Sequence, residues 1–307
     1  MFTPKNYTLI TVSDHRSEHT FMTVGWPAAA RENYLEAMVI AAVEQTNLVV
    51  GSQPLLIIRD SNQQVGLASF VMNPTNVQTW IQHFTQIFDE NPDISSGQAT
   101  VVIVAPEAVA KSFPAFCVPP TTEAEEVTAN LQRYQKGSTE HIIIAGPEPA
   151  AKVGSLETFV AMCLLMNPMN PFVASCLPAR ISLQPMRALV EGKPRIIWSC
   201  SGENSESGEI LEVLENTAKA VISIPENYSR TEFEQVKQFS FSNLSRPRLA
   251  PDNLARFLTQ YSVMGWGIDA LLDTHRINSL SLENLAPAFA ELVYPIGAVL
   301  GLDLVKK

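Results

Sequence analysis

The sequence predicts a mixed α/β or α+β chain: a partly parallel sheet covered by helices, followed by a helix-rich C-terminal lobe. Three observations predict it. VVIVAPE (101–107), IIIAGPE (142–148) and AVISIPE (220–226) are continuous apolar runs, each stopped by Pro-Glu, and such runs suit strands covered on both faces. Helical segments separate them at 122–136, 155–167 and 208–218, an alternation that builds α/β layers. Beyond Pro225 the pattern is helical almost to the end.

Taken in order, 7–14 (YTLITVSD) and 19–25 (HTFMTVG) are short β-rich runs on either side of a polar turn, which predicts a hairpin. Residues 28–46 place Tyr34, Leu35, Met38, Ala41 and Ala42 at helical spacing. LLIIRD (55–60) and VGLASFVM (65–72) read as a second hairpin, and 76–89 as a helix with Val77, Trp80, Ile81, Phe84 and Phe88 on one face. VVIVA, HIIIA and RIIWS are expected as neighbouring strands of one sheet. The 155–167 helix is apolar on nearly every face and so predicts burial among other elements. A capping pattern at Ser229 to Glu232 opens a helix over 230–238, and 242–252 reads as a loop. Residues 253–273 give an apolar-faced helix interrupted at Gly265-Trp-Gly267. The last helix, 282–301, carries Pro287 and Pro295 and is expected kinked or split. The organisation this suggests is a mixed lobe over 1–150 and a helix-rich lobe over 151–307, with one large domain as the alternative.

Composition narrows the functions. The chain has 307 residues, 46% hydrophobic and 17% charged, enough for a sizeable core, and a net charge of −10. That charge opposes non-specific adhesion to nucleic acid or anionic membrane unless basic residues cluster. Cys117, Cys163, Cys176 and Cys200 show no zinc-ligand spacing, and MFTPKNYTLI shows no signal peptide, which predicts a reduced, cytoplasmic setting without a membrane span. There is no GxxxxGK[ST] and no GxGxxG, so no nucleotide cofactor is expected.

Four features carry chemistry. His15 and His19 stand four apart beside Asp14 and Glu18, but on a turn rather than a helix, where that spacing does not unite them; no metal site follows. Ser199-Cys200-Ser201-Gly202 follows a strand, where a nucleophile would sit, without a GxSxG pattern or a linked histidine. Glu107, Glu148, Glu203 and Glu226 follow strand ends and, were the strands parallel, would gather at one sheet edge; the plainer reading is acids at helix N-termini. The asymmetric signal is basic. Arg180, Arg187, Lys193 and Arg195 face one acid, Glu191, and Arg246, Arg248 and Arg256 face Asp252. Arginine suits phosphate, and Phe172 and Trp198 stand near the first cluster for stacking on bases; salt bridges to the many glutamates are the plainer alternative.

The reading these features favour is a self-assembling structural protein of the coat or nucleocapsid kind. It would form homo-oligomers and contact single-stranded nucleic acid through the arginine rim. The alternatives are an α/β enzyme acting on a small molecule around Glu107, Glu148 and Cys200, and a non-catalytic partner-binding module.

Overall fold

The computed structural model describes residues 6–28, 32–61, 64–72, 75–90, 99–118, 128–147, 155–167, 170–190, 192–203 and 207–302. The chain opens with β1 (Tyr7–Ser13), β2 (Thr20–Pro27), α1 (Glu32–Val50), β3 (Leu56–Ser61), β4 (Val65–Met72), α2 (Val77–Glu90), β5 (Ala99–Ala105), α3 (Glu107–Ala110) and β6 (Phe116–Cys117). It continues through β7 (Asn130–Lys136), β8 (Thr139–Ala145), α4 (Ser155–Leu165), α5 (Pro171–Cys176), β9 (Ile181–Val190) and β10 (Lys193–Glu203). The rest is helical: α6 (Ser207–Asn227), α7 (Arg230–Ser245), α8 (Pro251–Val263), α9 (Ile268–Leu272) and α10 (Leu282–Leu300), with short 3-10 turns at Arg246–Leu249 and Thr274–Ser279. Two compact units result. The first is Met1–Ala124 with Arg246–Trp266, the second Glu125–Ser245 with Gly267–Lys307.

The first unit is a six-stranded mixed sheet, order β3-β4-β2-β5-β1-β6. β5 is buried at every residue because both its faces are covered. Val101 and Ile103 join the core beneath α1 and α2. On the other face lies α8, whose Thr259 hydroxyl reaches the Thr23 carbonyl at 3.5 Å. Along α2 the rings of Trp80, Phe84 and Phe88 recur every fourth residue and stack at 5.4 and 5.6 Å, as the helical period requires. Trp80 also donates its indole N–H to Asn47 of α1 at 2.9 Å.

The second unit has a four-stranded antiparallel sheet, order β7-β8-β10-β9. The Trp198 indole on β10 donates to the Leu292 carbonyl of α10 at 2.6 Å and fixes that helix on the sheet. At Gly146 a Cβ would lie 2.6 Å from Pro295 Cγ, so only glycine lets this backbone approach α10. α4 is buried from Thr158 through Leu165, as its all-round apolar surface requires.

The fold class is the expected mixed α/β with a helix-rich C-terminal region, but several elements differ. β1 and β2 form no hairpin with each other; β5 lies between them, parallel to β1 and antiparallel to β2. VVIVA is in the first sheet and HIIIA and RIIWS in the second, so the three are not neighbours in one sheet. AVISIPE is helix. Ile210, Val213, Leu214, Thr217, Ala218, Val221 and Ile224 are buried along α6, and that 3.6-residue period over six turns outweighs seven locally strand-like residues. Residues 130–136 form strand β7, not helix. The expected loop at 242–252 is the end of α7, a 3-10 turn and the start of α8. α10 is not split: Leu285, Phe289, Leu292, Val293 and Ile296 bury one face, and their packing outweighs the backbone bonds lost at two prolines.

Candidate functional site

Among the described residues β3 is one of the two edge strands of the first sheet, and β4 is its neighbour in the sheet order. Its approach and first residues are apolar without a break, and they are exposed: Leu55 57%, Leu56 50%, Ile57 43% and Ile58 38%. The strand's pleat sends Leu56 and Ile58 to one face and Ile57 to the other. Ile57 closes a groove of about 160 Å³ with Val39, Ile40 and Val43 of α1 and Phe70 of β4. Leu48 and Val49, at the end of α1, add exposed apolar surface. Natural edges are blunted by charges, proline or bulges because an open edge offers unpaired N–H and C=O groups to another chain. Apolar side chains at four successive exposed positions do the reverse. In sequence LLIIRD reads only as one half of a hairpin, because its lack of apolar–polar alternation signals burial unless the strand is known to be an edge.

The nucleophile and carboxylate candidates do not assemble. Cys200 is fully buried in β10, and burial pushes its thiol up to about 12. Glu107 begins α3, where the hydrogen bond from Lys111 holds its carboxyl below the usual range. Glu148 lies outside the described residues. Glu203 ends β10 and Glu226 is exposed on α6. Because β8 and β10 run antiparallel, their carboxyl ends lie at opposite edges of the sheet, and the expected gathering of acids has no geometric basis.

His15-Arg16-Ser17-Glu18-His19 spells H-x-x-E-H, which can hold zinc when a helix brings its residues to one face. Here it forms the turn between β1 and β2, with both histidines exposed. Asp14 is committed to Arg16, whose backbone N–H and Nε donate to its Oδ1 at 2.9 and 2.8 Å. Among the described residues no group of three or more His, Cys, Asp or Glu is placed to hold a metal.

The basic residues are dispersed. Arg180 is exposed and pairs with Glu209 at 2.5 Å. Arg187 is half-buried beside Glu291, and burial brings its guanidinium down to about 10. Lys193 is half-buried, while Arg195 is 1% exposed, its Nε and Nη1 without hydrogen-bond partners. Arg187 pairs with Ile196 in the β9–β10 register and Arg195 with Ala188, so the two arginines leave opposite faces of the sheet. Trp198 is buried against α10 and offers no stacking face; the Phe172 side chain lies outside the described residues. Arg246, Arg248 and Arg256 belong to the first unit, where Arg246 and Arg256 meet at one pocket.

The fold is shared with two solved proteases. The periplasmic protease PqqL from Escherichia coli matches with a TM-score of 0.53 at 11% identity, covering 91% of this chain and 42% of that one. A protease from Helicobacter pylori matches with a TM-score of 0.52 at 11% identity over 95% of both chains. This chain thus spans less than half of PqqL but nearly all of the second protein. No family model and no curated protein matches the sequence. The likeness overturns the expected coat or nucleocapsid protein, and with it the nucleoprotein and RNA-binding reading: the architecture is one seen in proteases. Among the described residues no helix is long and apolar enough to cross a membrane.

Proposed function

We propose that this chain is a non-catalytic, peptide-binding module on a protease fold, which captures an extended polypeptide segment along β3. The observation that carries this reading is the run of exposed apolar residues from Leu55 to Ile58 on an open sheet edge. An extended peptide added there gains main-chain hydrogen bonds from the edge and side-chain contacts on either face, with Ile57 and the α1 groove on one side. The likeness to two proteases, proteins that act on polypeptide, supports a peptide as the occupant. Binding without cleavage accords with the buried Cys200 thiol and the turn that separates His15 from His19.

The test uses a fluorescein-labelled, strand-length peptide of alternating valine and threonine with terminal lysines, read by anisotropy. Saturable binding is expected, weakened about tenfold or more when Ile57→Lys and Ile58→Lys place charge on the edge. The peptide should be recovered intact. Absence of binding overturns the proposal, and so does a wild-type dimer that the double variant converts to monomer, since β3 would then serve self-pairing. Cleaved peptide would make the chain a peptidase instead.

A further inference from the structure

The groove beside Ile57 has a chemistry that an apolar strand edge alone does not require. Along α1, Glu36, Ile40, Val43, Glu44 and Asn47 follow one another at intervals of three and four residues, which places them on one flank of the helix, and all five line the groove. Their burial is graded. Val43 is buried, Ile40 half-buried and Glu44 exposed, so the floor is apolar and the rim carries a carboxylate.

No basic residue lines the groove. Glu36 has an interaction of its own, which leaves Glu44 as the carboxylate for a ligand. The residues one helical turn from Glu44 are Ile40, Ala41, Asn47 and Leu48, none of them charged. Among the described residues no ion pair reaches it. Leu48, four residues on, is 85% exposed and extends the apolar surface past the carboxylate. The second hollow along β3, about 180 Å³ beside Leu55 and Trp80, has no charged residue in its lining.

Distance decides which side chains reach the groove. A strand added to β3 runs about 4.8 Å outside it, so a short branched side chain on the α1 face stops against Ile57. A long unbranched one crosses Ile57 and enters the groove, whose volume of about 160 Å³ is that of one side chain rather than of a small-molecule site.

We propose that this groove selects a lysine or arginine in the segment bound along β3, with the apolar stem lying on Ile57, Ile40 and Val43 and the cationic head at Glu44. Lysine and arginine bury their stems on apolar surface while the charge stays at the rim, and on a sheet edge it is such side-chain sites that give specificity to main-chain pairing. The inference rests on the reading of β3 as a peptide-binding edge.

The test extends the anisotropy assay with the alternating valine–threonine peptide. Each internal valine is replaced in turn by lysine, arginine, norleucine or glutamate, norleucine being long and uncharged. At one position lysine or arginine should bind about three- to fivefold more tightly than norleucine, the scale of a partly exposed ion pair, and glutamate more weakly than either. The preference should shrink as salt is raised and disappear in Glu44→Gln, an exposed position where the change does not disturb the fold. If the parent peptide binds but no position prefers a cation, or if the preference survives in Glu44→Gln, the selection is overturned and the β3 edge stands. If neither the parent nor any substituted peptide binds, the edge reading fails and the selection fails with it.

Discussion

Thr100 on β5 and Ser262 on α8 hold their hydroxyl oxygens 3.1 Å apart across 162 residues of sequence. The contact marks where a late helix returns to cover the first sheet. Beside it a Cβ added at Gly25 of β2 would overlap the Thr259 γ-methyl and approach Val263 at 3.3 Å. Gly25→Val should therefore lift α8 from the sheet and destabilise the protein by about 1–3 kcal/mol or more, as overpacking does. A urea midpoint equal to the wild type's would show that α8 is not seated as described.

Phe159 sits in α4, 7% exposed on a helix buried all round. Phe159→Ala should lower stability by about 3–5 kcal/mol, the range for an emptied aromatic site. An unchanged denaturation midpoint would contradict the burial of α4.

The turn between β1 and β2 makes a pH prediction. The hydrogen bond from the Arg16 side chain, outweighing the opposing effect of burial, holds the Asp14 carboxyl below its usual range. A depressed carboxyl stabilises the fold above the unfolded value of about 4 and loses that contribution as pH falls through the folded value. Arg16 is 44% exposed, so solvent screening keeps the pair near 1 kcal/mol. Asp14→Asn should be less stable than the wild type by about that amount at pH 7, and the two should converge in acid. A gap that persists below both carboxyl values would assign the effect to packing.

Arg195 combines near-complete burial with unpartnered Nε and Nη1, on a strand face that it shares with Ala188 and Ile197. A buried charge without compensation is unfavourable, and replacing buried charge with an apolar residue of similar volume is often neutral or stabilising by about 1–4 kcal/mol. Arg195→Met should raise the melting temperature or leave it unchanged. A clear loss of stability would mean that an anion neutralises the guanidinium in the folded protein.

The sequence by itself determined the mixed class, the buried β5, α2 with its aromatic stripe, the β3–β4 hairpin and the buried α4. Each is set by short-range periodicity, and burial follows directly from an apolar pattern that leaves no polar face. It also placed Arg246 and Arg256 in one basic cluster, since their closeness on the chain survives folding. Only the tertiary structure decided strand order. β5 separates β1 from β2, and HIIIA lies antiparallel to RIIWS in a different sheet from VVIVA, because pairing depends on crossovers that no local window contains. The β3 edge was hidden for the same reason. Leu55 to Ile58 have the composition of a core strand, and only the sheet order shows that, among the described residues, no strand follows β3. Arg187 and Arg195 show the converse: neighbours in a basic stretch, they are sent to opposite faces by a two-residue pleat and the register between β9 and β10.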